Sequence, residues 1–434
     1  MKFIYQIGRF DRNYNEDINF VIDSKNFKSK LSSISLKNYL QGQTKLILIY
    51  PVSIVYNEIA LNNNDEFSKI ISQKIGNYLE NPNEVLKEHP HNKYADDFLV
   101  IHSIGEYKLF DSKEKFEGTY DDIVLAIFCD MIERLLEKKN EENEFYIDIS
   151  SGHNIYVSAM LEAIRHFSVF SKLLNWQNKS FRPKVYIVFS DPILGSSAKE
   201  FKIYIKELKF KVFFSSPIGK YDMDMMEKES ELYKLLENFL ILYSAIKNNT
   251  PLVLYHFGYD EYGKIIASIR KIIEEIKNKL SENWKKSPSL SKDDYLKIIL
   301  SLGFYAGIVE VLESNNIREY NFQEGVALDE IKEKFLSKSI YKIFNLDSLV
   351  PILEYEIKSQ YGKSRKIKKE EWEKLGKYYD HPQSKGGNFQ RHFIAHSGFE
   401  RNITEVRKKD NKLYFRYQLN GKRKDLISVL KNYL

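Results

Sequence analysis

The first half of the chain alternates strand-like runs with helical patterns, and this alternation restricts the possible folds more than any other feature. Five runs are rich in β-branched and aromatic residues, as strands are: FIYQI, LILIY, EFYIDIS, VYIVF and KIYIKEL. Residues 121–139 and 155–172 repeat apolar side chains at helical spacing. Strands alternating with helices favour a mostly parallel sheet covered on both faces, so we predict an α/β domain.

The second half is predicted to be mainly α-helical, with one late exception. Pro217 and Gly219 mark a boundary, after which residues 227–248, 262–280 and 289–314 are strongly helical in pattern. The exception is the tail from Ile403, which reads as a β-hairpin turning near Asp410 and Asn411 and then a last helix. We therefore predict two domains, 1–218 and 219–434.

Composition is consistent with two folded domains. The chain has 434 residues, of which 43% are apolar and 14% aromatic, which is too rich for disorder. The longest apolar runs are too short to cross a bilayer, and the N-terminus lacks a secretory cleavage site, so we expect a cytoplasmic protein without a membrane partner. One cysteine, Cys129, excludes an intramolecular disulfide and a cysteine-cluster zinc site.

A polar loop follows the strand FYIDIS directly. Ser150, Ser151 and Asn154 offer side-chain donors, and Gly152 allows close backbone approach, with His153 between them. Ligands of open α/β sheets bind beyond the carboxyl ends of strands, where a helix N-terminus favours an anion. A phosphate site and a simple helix cap are equally compatible with this loop. Its glycine pattern matches neither the dinucleotide fingerprint nor the P-loop.

Other strand ends extend the same predicted edge. Gly8 and Arg9 follow the first strand, with Arg12 close behind. Ser190 and Asp191 follow the strand VYIVF. These loops could share the rim of the candidate ligand site, although each alone is better explained as a surface loop.

The stretch QRHFIAHSGF places an arginine and two histidines on one predicted short helix. Asn388 is a suitable N-cap and Gly398 a suitable residue after the helix end. His392 and His396 then lie one turn apart on one face. Arg391 lies about 140° around the helix from His396, so it reaches that side chain only across a cleft.

Three interpretations of this helix compete. Zinc binding fits the spacing of His392 and His396, but Phe393 stands where the general-base glutamate would be, and a third ligand is lacking apart from the isolated His381. A structural role would place the histidines on backbone acceptors or at the surface. Catalysis on RNA would use an imidazole as acid or base and the Arg391 guanidinium on the phosphate, without a metal.

The motif Arg391-His392-x3-His396, followed by Ser-Gly-Phe, resembles the R-x4-H signature of HEPN ribonucleases. Together with the DISSGHN loop, the helical second half and the late hairpin, the chain resembles the CARF–HEPN ancillary ribonucleases of type III CRISPR systems. The resemblance implies a Rossmann-like CARF sensor domain at 1–218 and a helical connector with a HEPN-like ribonuclease domain at 219–434.

The resemblance also implies roles for individual residues. Arg391 and His396 would be catalytic, with His392 at the polar position between them. The loop 150–154 would contact a cyclic oligoadenylate activator, with Gly8 and Arg9 on a second wall. The family implies an antiviral endoribonuclease that cuts single-stranded RNA as a homodimer, with further assembly left open and the four-membered ring favoured as activator.

A two-fold axis also has a physical motive, because one short helix offers a single poorly aligned arginine and histidine, whereas two copies can share a cleft. The basic run from Lys363 to Lys369 would border that cleft and attract RNA. Two rival hypotheses stay open: a ligand-gated regulator that binds nucleic acid without cutting it, and a zinc hydrolase.

Overall fold

A computed structural model describes residues 1–63, 65–109, 112–151, 154–192, 198–363, 366–368, 370–379, 389–419 and 423–432. The chain divides into two compact units. The first comprises Met1–Lys172, Asn178–Lys211 and Arg270–Leu296. The second comprises Leu173–Gln177, Val212–Ile269 and Lys297–Leu434.

The first unit is built on an eight-stranded sheet. The strands of this half of the chain are β1 Lys2–Ile7, β2 Ile18–Ile22, β3 Lys25–Ser29, β4 Thr44–Pro51, β5 Asp97–Ile101, β6 Ile104–Leu109, β7 Ser112–Glu117, β8 Glu144–Asp148, β9 Lys184–Ser190 and β10 Phe201–Glu207. The sheet order is β3-β2-β10-β9-β8-β1-β4-β5, and β6 and β7 form a separate hairpin.

The central strands confirm the predicted mostly parallel sheet. β1 pairs in parallel with both β4 and β8, and the parallel set extends to β5 on one side and β9 on the other. Among the parallel strands, β4 and β5 lie on one side of β1, whereas β8 and β9, which come later in the chain, lie on the other side, so the strand order reverses beside β1. In an open α/β sheet this reversal leaves a crevice at the carboxyl ends of the strands.

Helices cover this sheet. They are α1 Ser32–Leu40, α2 Glu58–Leu61, α3 Glu66–Lys74, α4 Pro82–Leu86, α5 Tyr120–Glu137 and α6 Asn154–Leu174. A capping box starts α5, because the Thr119 hydroxyl accepts from the Asp122 N–H at 3.2 Å and the Asp122 carboxylate accepts from the Thr119 N–H at 2.8 Å. Phe167 of α6 packs on Phe145 of β8, with ring centroids 4.4 Å apart. The two helices predicted in this half are present.

The later helices confirm the mainly helical second half. They are α7 Lys220–Asp224, α8 Glu231–Lys247, α9 Leu252–Phe257, α10 Tyr262–Ser281, α11 Lys292–Ser314, α12 Leu328–Lys332, α13 Ile340–Ile343, α14 Leu349–Lys363, α15 Phe389–Ala395 and α16 Arg423–Asn432. By length and composition α11 alone, among the described helices, is apolar enough to cross a bilayer, yet 72% of its most apolar window is buried, as in a core helix.

A small antiparallel sheet accompanies these helices. Its strands are β11 Val326–Ala327, β12 Glu373–Lys374, β13 Thr404–Lys409 and β14 Lys412–Tyr417, in the order β11-β14-β13-β12. Asp410 and Asn411 connect β13 to β14 with φ of 51° and 60°. The late hairpin is therefore confirmed, and its turn residues are the types that tolerate left-handed backbone.

Two buried histidines hold the loop that follows β1. His89 Nε2 donates to the Arg9 carbonyl at 3.0 Å, and His91 Nε2 donates to the Tyr14 carbonyl at 2.7 Å. His89 Nδ1 accepts from the His91 N–H at 3.2 Å, which requires the neutral ring. Burial holds the pKa of His89 well below its usual range and lowers the pKa of His91 to about 4. Both rings are therefore neutral at physiological pH.

Acid should weaken the first unit through these rings. In the unfolded chain each histidine takes up a proton near pH 6.5, whereas in the native fold His91 is protonated only near pH 4. The contribution of the neutral rings to stability is therefore present above pH 6.5 and is lost as the pH falls towards 4. For His91 alone we expect a loss of about 2 kcal/mol by pH 5. Urea unfolding of the wild type and His91→Asn at pH 7.5 and 5 measures it. If the free energy of unfolding of His91→Asn falls between pH 7.5 and 5 by as much as that of the wild type, this assignment is contradicted.

Candidate functional site

The turn after α15 is fixed by close packing. The His396 N–H closes the last helical turn on the His392 carbonyl at 3.1 Å, and Ser397 and Gly398 then take φ of 49° and 82°. A Cβ on Gly398 would lie 2.7 Å from the Tyr417 hydroxyl oxygen, so this position requires glycine. The predicted N-cap Asn388 and the isolated His381 lie outside the described residues.

The helix is anchored on the side away from its histidines. Phe393 is fully buried and packs against the Tyr417 ring at 6.1 Å between centroids. The Tyr417 hydroxyl donates to the Gly398 carbonyl at 2.9 Å. Asn249 Nδ2 donates to the Ser397 hydroxyl at 3.3 Å. The residues on either side of His396 are thus held by the core, which leaves its ring as the group presented outward.

The structure brings the two predicted histidines together on one face. The His392 and His396 rings are parallel within 2°, with centroids 6.2 Å apart. The His396 side chain is 39% exposed, so a substrate can reach it. Arg391 is also exposed, on the adjoining side of the same helix. All three predicted side chains are therefore open to solvent rather than sealed in the core.

A buried carboxylate on a neighbouring helix contacts His396. Glu356 Oε2 of α14 lies 3.4 Å from His396 Nδ1, and the Glu356 side chain is only 7% exposed. Gln360 Nε2 donates to the other carboxylate oxygen at 2.7 Å. A carboxylate can only accept, so the neutral imidazole carries its proton on Nδ1 and keeps the lone pair on Nε2. That tautomer suits a general base.

Glu356 and Gln360 were missed by the sequence analysis. They lie four residues apart on the buried face of α14, in the same stripe as the core residues Leu353 and Ile357. Two polar residues at core positions of an amphipathic helix are the signal that points to them, because a buried polar group needs a partner. The partner His396 is 40 residues distant in sequence and follows from the fold alone.

Tyr379 forms a further wall beside His396. Its ring meets the imidazole edge-on, at 75° between planes and 6.4 Å between centroids, and the Lys363 ammonium lies 4.0 Å from the tyrosine ring centre. Burial raises the pKa of Tyr379 to about 12, and the Glu356 carboxylate adds to the rise, so the hydroxyl stays neutral. Of the predicted basic run after Lys363, residues 364, 365 and 369 lie outside the described part of the chain.

Ser150 and Ser151, which follow strand β8 in the first unit, differ in their hydrogen bonds. Ser150 connects two strands, because its N–H donates to Asp148 Oδ1 and its hydroxyl accepts from the Ser190 N–H, each at 2.9 Å. Ser151 is buried, and its hydroxyl has no hydrogen-bond partner among the described residues. Asn154 starts α6 and is exposed. Gly152 and His153 lie outside the described residues.

A buried polar cluster occupies the point where the strand order reverses. Gln6 of β1 is in register with Asp148 of β8. Gln6 Nε2 donates to the Ser32 hydroxyl at 2.8 Å, and its amide oxygen accepts from the Ser33 N–H at 3.2 Å. Burial raises the pKa of Asp148, which is fully enclosed. Gln6, Ser32 and Ser33 were not predicted from the sequence, because the approach of α1 to this edge depends on the sheet order.

Gly8 and Arg9 lie at the carboxyl end of β1, as predicted for that loop. A Cβ on Gly8 would lie 2.2 Å from the Tyr50 ring, so glycine here allows the aromatic side chain to pack. The Arg9 guanidinium binds the Asp11 carboxylate through two hydrogen bonds of 2.9 and 3.1 Å. Its charge is therefore balanced within its own loop.

Comparison with known families matches both halves of the chain. Residues 2–192 match the family model described as CRISPR system endoribonuclease Csx1, CARF domain. Residues 346–420 match the model described as CRISPR system endoribonuclease Csx1, HEPN domain. The first range contains the strand-end cluster, and the second contains α14, α15 and the hairpin. A search of curated proteins found no significant match.

Proposed function

Because the chain belongs to the CARF–HEPN family of CRISPR-associated ancillary ribonucleases, we propose that it is an endoribonuclease that cuts single-stranded RNA when a cyclic oligoadenylate binds its CARF domain. The family establishes a CRISPR-associated ribonuclease regulated through the CARF domain. The observation that carries the finer proposal is the contact of the exposed His396 ring with the buried Glu356 carboxylate.

This contact suits cleavage by the ribose 2′-hydroxyl. His396 Nε2 takes the 2′-hydroxyl proton while the 2′-oxygen attacks phosphorus, and the bond from phosphorus to the 5′-oxygen breaks. A second imidazole gives its proton to the leaving 5′-oxygen. The products are a 2′,3′-cyclic phosphate and a 5′-hydroxyl, and no metal is needed. Glu356 stabilises the imidazolium that forms, and Arg391 balances charge on the phosphate.

The second imidazole is proposed to come from a homodimer. Arg391 and His396 lie about 140° apart around α15, so one copy of the helix does not present both to the same phosphate. A two-fold axis beside α15 would bring two copies of each residue to one cleft. His392, whose ring is parallel to that of His396, is the other candidate for the acid. Whether the acid is the second copy of His396 or His392, it is an exposed imidazole on the same face of the helix.

The activator is proposed to bind at the crevice beside β1 and β8. The Ser151 hydroxyl is buried there without a partner among the described residues, and the N-terminus of the long helix α6 follows it. Backbone N–H groups at such a terminus favour a phosphate. Asn154, together with Gly152 and His153, would complete the contact, with Gly8 and Arg9 on the opposite wall. We favour the four-membered ring as the activator.

Replacing His396 tests the catalytic assignment. We expect His396→Ala to reduce activator-dependent cleavage of labelled single-stranded RNA by at least about 100-fold, because it removes the acid or base. Binding of cyclic tetra-adenylate should be unchanged, since the ligand contacts the CARF domain. Full activity of the variant in the presence of a chelator would remove His396 from the mechanism.

Glu356 should act as a positioning residue for His396. We expect Glu356→Gln to lower kcat by about 10- to 100-fold while KM for RNA stays the same, because the carboxylate orients the imidazole without touching substrate. The matched control is Glu354→Gln on the same helix, whose exposed side chain pairs with Lys358. Equal kcat values for the two variants, or a change confined to KM, would contradict this role.

A further inference from the structure

The outward face of the β13–β14 hairpin is basic and aromatic. Side chains alternate along both strands, so Val406, Leu413 and Phe415 are buried in the core. The opposite side, which we call the hairpin face, consists of Glu405, Arg407, Lys409, Lys412, Tyr414 and Arg416. Nothing in the proposed cleavage chemistry uses this face.

The positive charge of the hairpin is largely uncompensated. Residues 404–417 include five basic and two acidic side chains. One of the acids, Glu405, is bound by Arg416 at 2.7 Å. Lys408, Lys409 and Lys412 have no carboxylate within 4.0 Å among the residues that the structure describes. A cluster of this kind attracts a polyanion.

Aromatic rings alternate with guanidinium groups across the hairpin face. The Arg416 guanidinium lies 4.1 Å from the Phe322 ring centre and 4.3 Å from that of Trp372. Arg407 lies 4.6 Å from the Trp372 ring and 5.6 Å from the Tyr414 ring. Phe322 remains 40% exposed. Flat rings and guanidinium planes are the surfaces on which unpaired nucleobases stack.

Backbone contacts hold this arrangement in place. Trp372 Nε1 donates to the Gln323 carbonyl at 3.1 Å, and Arg407 Nη2 donates to the Glu324 carbonyl at 3.0 Å. A Cβ on Gly325 would lie 2.5 Å from the Trp372 indole, so glycine at this position allows the ring to pack against the backbone. Arg407 Nε is buried and has no hydrogen-bond partner among the described residues. The face is therefore preorganised and retains an unused donor.

A short segment connects the hairpin face with the candidate active site. Trp372 lies at one end of residues 372–379, and Tyr379, beside the His396 ring, lies at the other. Lys374 and Lys377 are exposed between them. An extended RNA strand that follows this segment would meet the exposed Lys374 and Lys377, of which Lys377 is paired with Glu373 at 3.2 Å.

We propose that the hairpin face is a second RNA-contacting surface, which holds single-stranded substrate beyond the phosphate that is cut. Lys409 and Lys412 would bind backbone phosphates. The exposed Phe322 ring, with the partly exposed Trp372 and Tyr414 rings, would stack bases, while the buried Arg416 holds Phe322 and Trp372 in place. The inference rests on the proposed ribonuclease function and adds to it a determinant of substrate affinity. Since stacking and phosphate contacts carry no base pattern, the surface favours unpaired RNA of any sequence.

The test removes two exposed charges at the hairpin tip. Lys409→Gln/Lys412→Gln is made in the full chain carrying His396→Ala, so that labelled single-stranded RNA stays uncut. The control is Lys25→Gln/Lys28→Gln, an equal charge change at two exposed lysines of β3. We expect Kd to rise about fivefold near 0.1 M salt in the hairpin variant alone. The slope of log affinity against log salt should fall by about 1.4, or 0.7 per lost phosphate contact.

The same lysine changes in the catalytically intact chain separate the two proposals. Weaker RNA binding by the hairpin variant supports the surface even if the intact protein cuts no RNA, in which case only the ribonuclease proposal fails. Affinity and salt slope equal to those of the control overturn the surface, and cleavage by the intact chain then still supports the ribonuclease. The proposed surface is also overturned if neither the His396→Ala chain nor the catalytically intact chain shows measurable RNA binding.

Discussion

The contact between a buried glutamate and an exposed histidine organises the second unit's candidate site. Glu356 lies within α14, where an unpaired carboxylate would be costly, and its two oxygens face Gln360 and His396. The same contact selects the imidazole tautomer with a free Nε2. One interaction therefore gives the buried carboxylate a partner, orients the His396 imidazole and ties α14 to the end of α15.

The first unit places polar groups at a sheet edge by a different route. There the parallel strands β1 and β8 end side by side. Gln6 donates to the Ser32 hydroxyl, and Asp148 accepts from the Ser150 N–H. Ser151 remains with an unused hydroxyl among the described contacts. A buried polar atom without a partner has an unmet hydrogen-bonding requirement, which the proposed activator would satisfy. The strand order thus brings these strand ends together, and the residues that follow the strands supply the polar groups.

Local patterns predicted much of this architecture. The strands FIYQI, LILIY and VYIVF, the helices α5 and α6 and the late hairpin follow from side-chain period and turn chemistry, because these depend on near neighbours in sequence. The less regular strands β2, β3 and β5 were missed, since INFVI, KNFKS and DFLVI are short and partly exposed. The predicted parallel sheet was right because crossover helices leave few alternatives.

Partnerships between distant residues could not be predicted from sequence. Ser150 binds the backbone of Ser190 because β8 and β9 are adjacent, and Glu356 reaches His396 because two helices pack together. Arg9 shows that a partner near in sequence can also go unpredicted, since its guanidinium binds the carboxylate of Asp11, two residues away. Period and spacing identify candidate residues, but only the packed fold shows which of them are already occupied.

The chemistry of the cut ends tests the central claim most directly. RNA cleaved by the activated protein in the presence of a chelator should carry 2′,3′-cyclic phosphate and 5′-hydroxyl termini, as mass spectrometry of the fragments would show. Fragments ending in 3′-hydroxyl and 5′-phosphate would mean that water, not the ribose hydroxyl, attacks phosphorus. That result would contradict the assignment of His396 and Glu356 as a metal-independent base and its orienting carboxylate.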